Sequence, residues 1–258
     1  MTASNIFRRD ATNVGDWHCA PVRYFSLPAG EADILDSEKL TLAPHVVVGG
    51  GGLIAKTFHP HMETLAARRA EARTLVAWGI GESENVDRSG GFVQPYDGDF
   101  PAYLDAFDLV GVRDFGTRHR WVPCVSCMSD IFDAEYPVNT EICVYEHKRI
   151  PLPIGDFPRL TNAGDDLGAV VRFLGSAEIV ITNSYHGAYW ATLLGRRVVV
   201  IPAMSKVYRF AHPPVICRLE SWKKFADLAQ SYPAALDECR NANRQFFKDV
   251  AALQSARS

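Results

Sequence analysis

Short runs of β-branched and aliphatic residues enclose a helical segment in the most regular part of the chain. Residues 179–182 and 198–201 are such runs, and their composition predicts two buried strands. The good helix formers at 185–194 predict a helix that ends at Gly195. The order strand, helix, strand predicts a parallel βαβ unit with a right-handed crossover.

The same patterns continue on both sides of this unit. Residues 1–12 are polar and are expected to be frayed. Residues 82–101 are rich in Gly, Asp and Pro, which predicts a long loop and a candidate binding loop. Residues 121–140 contain several breaks and are interpreted as the crossing between two α/β halves. The remaining patterns predict strands at 46–48, 74–78, 107–112 and 142–145, and helices at 17–24, 62–73, 165–174, 222–230 and 236–253.

His186 and Gly187 fall in the first turn of the predicted helix, just after the carboxyl end of a strand. Open α/β sheets bind ligands at this edge, and a helix N-terminus offers N–H groups and positive potential to an anion. A histidine placed there can also transfer a proton near neutral pH. A packed histidine beside a packing glycine is the structural alternative, and the sequence supports it equally well.

Two further strand ends carry residues suited to ligand binding. Four glycines at 49–52 follow the strand predicted at 46–48 and allow close approach of a ligand or a crossing helix, although they match neither a dinucleotide-binding fingerprint nor a P-loop. Arg113 follows another strand, where it could hold a carboxylate or a phosphate by a bidentate contact. A tight turn for the glycines and a salt bridge with Asp114 for the arginine are the structural alternatives.

A turn-type cluster, Asn13-Val14-Gly15-Asp16, precedes the helix predicted at 17–24. Asn13 and Asp16 are suited to cap that helix. Their alternative role is to face a sugar or an anion from the N-terminal half.

Composition narrows the functional classes. The formal net charge of −3 gives no argument for nucleic acid as the main partner, and 47% hydrophobic with 22% charged residues is typical of a globular enzyme. No apolar run reaches the ~18 residues of a membrane span, and residues 1–17 lack the apolar core of a signal peptide, so a cytoplasmic location is expected. The six cysteines are expected to be free thiols. Cys124 and Cys127 form a lone CxxC pair without the partners of a zinc site, and no metal or cofactor is expected.

Four motifs, taken together, give the chain a resemblance to a known family. They are Asn13-Val-Gly-Asp16, Val48-Gly-Gly-Gly-Gly52-Leu53, Gly111-Val-Arg113-Asp114, and Thr182-Asn-Ser-Tyr-His186-Gly187 with Leu193-Leu-Gly195 after it. In this order, and spread over most of the chain, they resemble the polysaccharide pyruvyl transferase family. The order and the spacing carry the resemblance, since no single motif is specific.

The resemblance implies a two-domain architecture similar to GT-B glycosyltransferases, with a cleft between Rossmann-like halves. Because 258 residues are few for two full domains, we expect a reduced N-terminal domain at 1–120, on the acceptor side, and a donor-side domain at 121–258. Phosphoenolpyruvate is the implied donor substrate. The implied acceptor is a sugar of a bacterial exopolysaccharide or of its polyprenyl-linked precursor, which would gain a cyclic pyruvate ketal. A lipid-linked acceptor would imply peripheral contact with the inner membrane.

The resemblance also implies roles for individual residues. By match to the motifs, His186 and Arg113 belong to the donor site, and we take His186 and Asp16 as the catalytic acid–base groups. Many members have Arg where this chain has Ser184, so another cation is expected to hold the donor, with Arg118, Arg196, Lys206 and Arg209 as candidates. Ser184 and Gly187 are assigned to the donor site as well, and Asn13, Gly50, Gly51 and Gly52 to the acceptor site.

Two other functions stay open at this stage. A GT-B nucleotide-sugar glycosyltransferase would have the same architecture and would need no DxD metal pair. A non-catalytic member would bind a glycan or an anion, and Ser184 in place of the usual Arg leaves room for this reading. Binding of a nucleotide sugar in place of phosphoenolpyruvate, or binding without phosphate release, would distinguish these two functions from pyruvyl transfer.

Overall fold

The N-terminal half of the chain forms the first of two sheets. The computed structural model describes residues 2–89 and 91–257. The strands of the first sheet are β1 (Thr2–Phe7), β2 (Glu31–Asp33), β3 (Thr41–Val48), β4 (Gly51–Ile54), β5 (Thr74–Glu82), β6 (Leu109–Val112) and β7 (Arg120–Trp121). They lie in the order β2-β1-β3-β5-β6-β7, β4 pairs with β5, and every pair is parallel.

The second half forms a separate parallel sheet. Its strands are β8 (Thr140–Glu146), β9 (Arg159–Thr161), β10 (Ala177–Thr182), β11 (Arg197–Val200) and β12 (Val215–Ile216), in the order β12-β11-β10-β8-β9. The α-helices of the described residues are α1 (Val14–Trp17), α2 (His59–Ala67), α3 (Leu167–Gly175), α4 (Tyr185–Leu193), α5 (Trp222–Ala226) and α6 (Ala235–Ala256). Two parallel sheets with helical connections confirm the predicted α/β class.

The strand–helix–strand unit predicted at 179–201 is confirmed as β10, α4 and β11. β10 pairs with β11 in parallel, with Ile181 opposite Val199. Ser184 caps α4, and its side chain accepts a hydrogen bond from the backbone N–H of Gly187. All residues of α4 are buried, as expected for a helix that is apolar on every face. α4 is therefore packed on all sides within the second half.

The expectation that residues 1–12 are frayed is wrong for Thr2–Phe7, because this segment is β1 and pairs with both β2 and β3. Met1 lies outside the described residues. The strand pattern of β1 is weak because Ser4 and Asn5 are polar, yet both are buried. Ser4 Oγ and Asn5 Nδ2 donate to the carbonyl oxygen of Pro28 at 2.8 and 2.6 Å. These tertiary hydrogen bonds pair the donors of both side chains, whereas Asn5 Oδ1 is buried without a partner.

Two local predictions change in position. The glycine run leads into the short strand β4, and Gly49, with φ of 142°, lies so close to β5 that a Cβ there would meet the carbonyl oxygen of Trp78 at 2.1 Å. The helix predicted at 17–24 is replaced by α1, which ends at Trp17, and by a 3-10 turn at Pro21–Arg23. Of the two predicted caps, Asn13 and not Asp16 is the N-cap. The helix therefore begins at Val14 and not at Trp17.

α6 returns the C-terminal part of the chain to the first sheet. Trp78 Nε1 of β5 donates to Asn243 Oδ1 at 2.9 Å, and Phe246 and Val250 share a buried cluster with Trp78. β7 consists of Arg120 and Trp121, the two residues on either side of the predicted domain boundary. The boundary itself stays a prediction. The first sheet has seven strands and the second five, so any reduction of the N-terminal half lies in its helices rather than in its sheet.

Within the described ranges 2–89 and 91–257, no helix is both long enough and apolar enough to cross a membrane.

Candidate functional site

A cavity of about 310 Å³ lies where the carboxyl ends of the two sheets meet. Its wall includes residues that follow six strands, β1, β5, β8, β9, β10 and β11, and these are Arg8, Ser83, His147, Asn162, Ser184 and Met204. Parallel α/β sheets bind ligands at this edge. The cavity is therefore the candidate functional site, and both halves contribute to it.

Asp16 reaches the cavity from the short helix α1, which follows β1. Asn13 caps α1 by accepting from Gly15 N–H at 3.2 Å, and Asn13 Nδ2 donates to Asp16 Oδ2 at 2.8 Å. From the second half, Asn162 Nδ2 donates to Asn13 Oδ1 at 3.2 Å. This chain of hydrogen bonds fixes the carboxylate, and burial raises its pKa. A carboxylate with a raised pKa is suited to proton transfer nearer neutral pH.

His186 contributes to the same wall from the first turn of α4, and only 7% of the residue is exposed. Its ring stacks on Trp190, with 4.9 Å between ring centroids, and its Nε2 lies 3.4 Å from Cys124 Sγ. Nδ1 has no hydrogen-bond partner among the described residues. Burial, followed by the nearby charges of Arg113 and Lys206, lowers the pKa of His186 well below its ordinary value. His186 is therefore neutral at pH 7.

Gly15 and Gly187, two glycines of the motifs, allow close packing around His186 and its helix. A Cβ at Gly15 would lie 2.0 Å from His186 Nδ1, so the backbone of the first half lies directly against the imidazole. A Cβ at Gly187 would lie 2.3 Å from Tyr145 Cδ1 and 2.6 Å from Thr182 Oγ1. Gly187 packs α4 onto the second sheet. It was assigned to the donor site from the sequence, but it does not line the cavity.

Gly187→Ala is expected to lower the free energy of unfolding by about 1–3 kcal/mol, because the new methyl group overlaps the buried ring of Tyr145. Gly168→Ala in α3 is the matched control, since the nearest atoms to its new methyl group are side-chain ends at 3.1 Å or more. That control is expected to change stability by less than about 1 kcal/mol, because Ala favours a helix over Gly. Urea unfolding measures both variants, and equal losses would contradict the packing role of Gly187.

Arg113 lies behind the cavity wall and is only 3% exposed. Its guanidinium stacks over the ring of Tyr185 at 3.8 Å, and its Nε and Nη2 are buried without a hydrogen-bond partner. A Cβ at Gly52 would lie 3.3 Å from Nη2, and both Gly52 and Tyr185 line the cavity. In the described residues Arg113 forms no salt bridge, including the one with Asp114 considered above. Because unpaired buried donors are unfavourable, this guanidinium is suited to receive an anion.

A buried carboxylate pair supports this region from the first sheet. Asp114 Oδ2 accepts from the backbone N–H of Glu82 at 2.9 Å, and Glu82 Oε2 accepts from Ser205 Oγ at 2.7 Å. Burial raises the pKa of Asp114 to about 7, with Arg113 opposing the rise and Glu82 adding to it. The contact with Ser205 ties the loop after β11 to β5, which places the neighbouring Lys206 on the cavity wall.

The charges along the wall are mainly positive. Burial, and then repulsion from Arg113, lowers the pKa of Lys206 to about 8. Lys206 has no hydrogen-bond or salt-bridge partner in the described part of the chain. Among the described residues, the other cations on the wall form no salt bridge either, except Arg8, which pairs with Asp33. The wall carries the cations Arg8, Arg88, Lys148, Arg149 and Lys206 against the carboxylates Asp10 and Asp16, so the cavity is suited to an anionic ligand.

The residues assigned to the acceptor site separate in the structure. Asn13 and Gly52 line the cavity, whereas Gly50 and Gly51 do not. A Cβ at Gly50 would lie 2.7 Å from the carbonyl oxygen of Cys19, and one at Gly51 would lie 3.3 Å from Cys19 Sγ. These two glycines therefore allow close packing of the glycine run against the segment after α1.

The four cations proposed to replace the arginine expected at Ser184 also occupy different places in the structure. Ser184 lines the cavity, and of the four cations only Lys206 lines it with Ser184. Arg118 is exposed and pairs with Asp105 at 3.0 Å, and Arg209 donates to the carbonyl oxygen of Tyr96 at 3.2 Å. Arg196 donates to the carbonyl oxygen of Tyr136 at 2.6 Å. Arg118, Arg196 and Arg209 therefore do not meet the proposed donor site.

Sequence analysis missed several residues of the wall, namely Arg88, His147, Lys148, Arg149 and Asn162. His147 and Asn162 come directly after β8 and β9. The rule that drew attention to His186, a polar residue just past the carboxyl end of a strand, would have identified both. Arg88 lies within the long loop at 82–101, which was predicted as a binding loop without a named residue.

All six cysteines are buried and free. Within residues 2–89 and 91–257, no group of three or more His, Cys, Asp or Glu side chains is arranged to hold a metal ion.

Comparisons with known proteins add little to this picture. No family model matches the sequence, and no curated protein matches it. One similar solved structure is that of a functionally uncharacterized protein from Klebsiella pneumoniae subsp. pneumoniae NTUH-K2044, with 15% identity and a TM-score of 0.46 over 77% of this chain and 83% of that chain. A similarity of this size carries no argument about function, which is therefore argued from the residues of the cavity.

Proposed function

We propose that the protein is a ketal pyruvyl transferase that moves pyruvate from phosphoenolpyruvate to a sugar of an exopolysaccharide or of its lipid-linked precursor. One observation carries the proposal: His186, Asp16 and Lys206 come from the two halves to one cavity whose charged wall is mainly cationic. Phosphoenolpyruvate carries about three negative charges near neutral pH. A cavity with unpaired cations and an acid–base pair matches both its charge and its chemistry.

The reaction needs proton transfer and no oxidant. A sugar hydroxyl adds to C2 of phosphoenolpyruvate while a proton is delivered to C3, which becomes the methyl group. Phosphate then leaves C2, and a second hydroxyl of the same sugar adds to give the cyclic ketal. One hydroxyl hydrogen ends on the methyl group and the other on the phosphate, so atoms balance without a further reactant.

Each role falls to a residue at or behind the wall. Lys206 holds the carboxylate or phosphate of the donor by charge-assisted hydrogen bonds at the wall, and Arg113, behind Gly52 and Tyr185, adds its positive charge to this part of the cavity. The first turn of α4, which has free N–H groups, adds positive potential. His186 and Asp16 transfer the protons. Asn13 and Gly52, on the side of the first sheet, face the sugar.

The proposed arrangement of the two halves is GT-B-like. Two features support it: the carboxyl edges of both sheets border one cavity, and a C-terminal helix, α6, packs back on the first sheet. A polyprenyl-linked acceptor would bring the protein to the inner membrane as a peripheral enzyme in the cytoplasm.

The proposal is tested by phosphate release together with mass spectrometry of the glycan. The probes are phosphoenolpyruvate and a panel of defined oligosaccharides, free and polyprenyl-diphosphate-linked, that differ in the terminal hexose. We expect phosphate release that depends on one acceptor, which gains the mass of pyruvate less one water. Transfer of a sugar from a nucleotide sugar to the same panel, with no phosphate released from phosphoenolpyruvate, would contradict the proposal.

The titration of Lys206 is expected to make the binding of phosphoenolpyruvate depend on pH. Because its pKa is lowered to about 8, the ammonium is charged below that pH and neutral above it, so its contribution to donor binding is present at pH 7 and lost as pH rises. We expect the dissociation constant for phosphoenolpyruvate to rise about tenfold or more between pH 7 and pH 9.5.

Lys206→Arg is the matched variant, because a guanidinium stays charged throughout this range. Calorimetric titration should show a flat affinity for this variant and a weak, flat affinity for Lys206→Met. A wild-type profile that matches Lys206→Met at every pH would remove Lys206 from the donor site.

A nucleotide-sugar glycosyltransferase is the second candidate. The observation in its favour is the additional cations at the rim, Lys148 and Arg149 after β8 and Arg88 from the long loop, since such a group could bind a diphosphate. Saturable binding of a nucleotide sugar and not of phosphoenolpyruvate would decide for it.

A further inference from the structure

A row of buried polar side chains lies behind His186 and does not reach the cavity. Trp190 Nε1 donates to Ser126 Oγ at 2.9 Å. Ser126 Oγ lies 3.2 Å from Cys124 Sγ, and Cys124 Sγ lies 3.4 Å from His186 Nε2. Trp190, Ser126 and Cys124 are fully buried, so these groups have only one another as partners at these atoms.

The direction of each hydrogen bond in this row follows from its first member. An indole N–H can only donate, so Ser126 Oγ accepts from Trp190. The hydroxyl hydrogen of Ser126 then has Cys124 Sγ as its partner, and the thiol hydrogen of Cys124 has His186 Nε2. If Nε2–H donates to sulfur instead, one buried hydrogen is left without an acceptor: the hydroxyl hydrogen when the thiol donates to Ser126, or the thiol hydrogen when Ser126 donates to sulfur. Both arrangements are unfavourable.

We infer that Cys124 and Ser126 are positioning residues that hold His186 in its Nδ1–H tautomer, so that Nδ1 presents a hydrogen-bond donor to a ligand in the cavity. Nδ1 is the ring nitrogen without a partner among the described residues, and it lies beside Gly15. A hydrogen bond to one imidazole nitrogen determines which nitrogen carries the proton. Cys124 therefore orients His186 without touching the ligand itself.

The inference deepens the proposed function and rests on it only for its catalytic consequence. A neutral His186 with Nδ1–H cannot accept a proton at Nδ1, so it acts as a donor toward the phosphate or carboxylate of phosphoenolpyruvate. This narrows the proton-transfer role proposed for the pair: His186 acts as the hydrogen-bond donor, and Asp16 is the base for the sugar hydroxyls. Neutral imidazole at a helix N-terminus is a known electrophilic donor in enzymes, and the place of His186 in the first turn of α4 matches it.

The tautomer is measurable on the free protein, whatever its substrate. Long-range ¹H–¹⁵N correlation spectra of protein labelled at the histidine rings, at pH 7, separate protonated from unprotonated ring nitrogens. The signal missing from His186→Gln assigns His186. We expect a protonated Nδ1 and an unprotonated Nε2, and an unprotonated Nδ1 would overturn the inference.

Variants locate the cause of the tautomer. Cys124→Ala removes the donor to Nε2, and we expect the His186 signals to move toward the Nε2–H form. Cys124→Ser keeps a donor of similar size, so the wild-type pattern should return. Cys127→Ala is the control, because Cys127 Sγ accepts from Asn243 and does not contact His186. Unchanged His186 signals in Cys124→Ala would overturn the role of Cys124.

The two proposals fail separately. The Nδ1–H tautomer in a protein that releases no phosphate from phosphoenolpyruvate would leave the inference standing and remove the proposed function. In an active enzyme we expect Cys124→Ala to lower kcat about tenfold or more with KM little changed, and Cys124→Ser to restore most of it. The wild-type spectrum decides the tautomer even if Cys124→Ala does not fold.

Discussion

His186→Ala is expected to lower turnover with phosphoenolpyruvate by about 10²–10³-fold, the usual cost of removing one hydrogen-bond donor that stabilises charge in the transition state. The imidazole is the side chain of α4 that meets the cavity with an unpartnered ring nitrogen, and Gly15 fixes its position from the opposite half. Cys124, which contacts the other ring nitrogen, lies behind the ring and does not line the cavity. Phosphate release under saturating donor measures the loss.

Two comparisons separate catalysis from folding in this test. His186 stacks on Trp190, so His186→Gln, which keeps more of the volume, is measured beside His186→Ala at a temperature well below the unfolding transition. His61→Ala is the control for loss of a histidine outside the cavity, since His61 contacts Ser37 on the first sheet's side. Turnover within a few-fold of wild type in a folded His186→Ala would contradict the catalytic assignment.

Arg113→Met is expected to weaken the binding of phosphoenolpyruvate by about tenfold or more, because it removes a positive charge that lies directly behind the cavity wall. The guanidinium has buried N–H groups without hydrogen-bond partners in the free protein, and it forms no salt bridge among the described residues that would neutralise its charge. Methionine keeps an apolar contact with the ring of Tyr185 and removes the charge. Calorimetric titration gives the dissociation constant directly.

Arg118→Met is the matched control, because Arg118 was also assigned to the donor site from the sequence, as one candidate replacement for the arginine expected at Ser184. It pairs with Asp105 on the surface, away from the cavity, and its loss should leave donor affinity unchanged. A purely structural Arg113 would give the opposite result: a lower unfolding temperature for Arg113→Met with the wild-type affinity. Equal affinities for the two methionine variants and wild type would remove Arg113 from the donor site.

The fold was predictable wherever local signals agreed. β10, α4 and β11 show β-branched strands, a capping serine and a terminal glycine together, and all three elements occur as predicted. β1 was missed because its central residues, Ser4 and Asn5, are polar, and no local pattern reveals the hydrogen bonds that both side chains donate to the backbone at Pro28. The return of α6 to the first sheet is equally non-local, since it depends on the pairing of Trp78 with Asn243.

The candidate site was predictable in part for one physical reason. Parallel strands bring their carboxyl ends to a common edge, so residues just past those ends, such as His186 and Asp16, meet although they lie far apart in sequence. Arg118 and Arg209 were assigned to the donor site because they are cations. Charge does not determine which face a loop residue occupies. The contact between Cys124 and His186 joins the segment after β7 to α4 through buried side chains and has no sequence signal beyond the CxxC itself.

The central claim, that this cavity takes phosphoenolpyruvate, is tested most directly by a thermal-shift panel on wild type and Arg113→Met at pH 7. The ligands are phosphoenolpyruvate and UDP-, GDP- and CMP-sugars. A ligand at ~100 times its dissociation constant stabilises the folded state by about 2.7 kcal/mol, which such a panel detects. We predict a shift with phosphoenolpyruvate alone that is lost in Arg113→Met. A shift with a nucleotide sugar and none with phosphoenolpyruvate would contradict the claim.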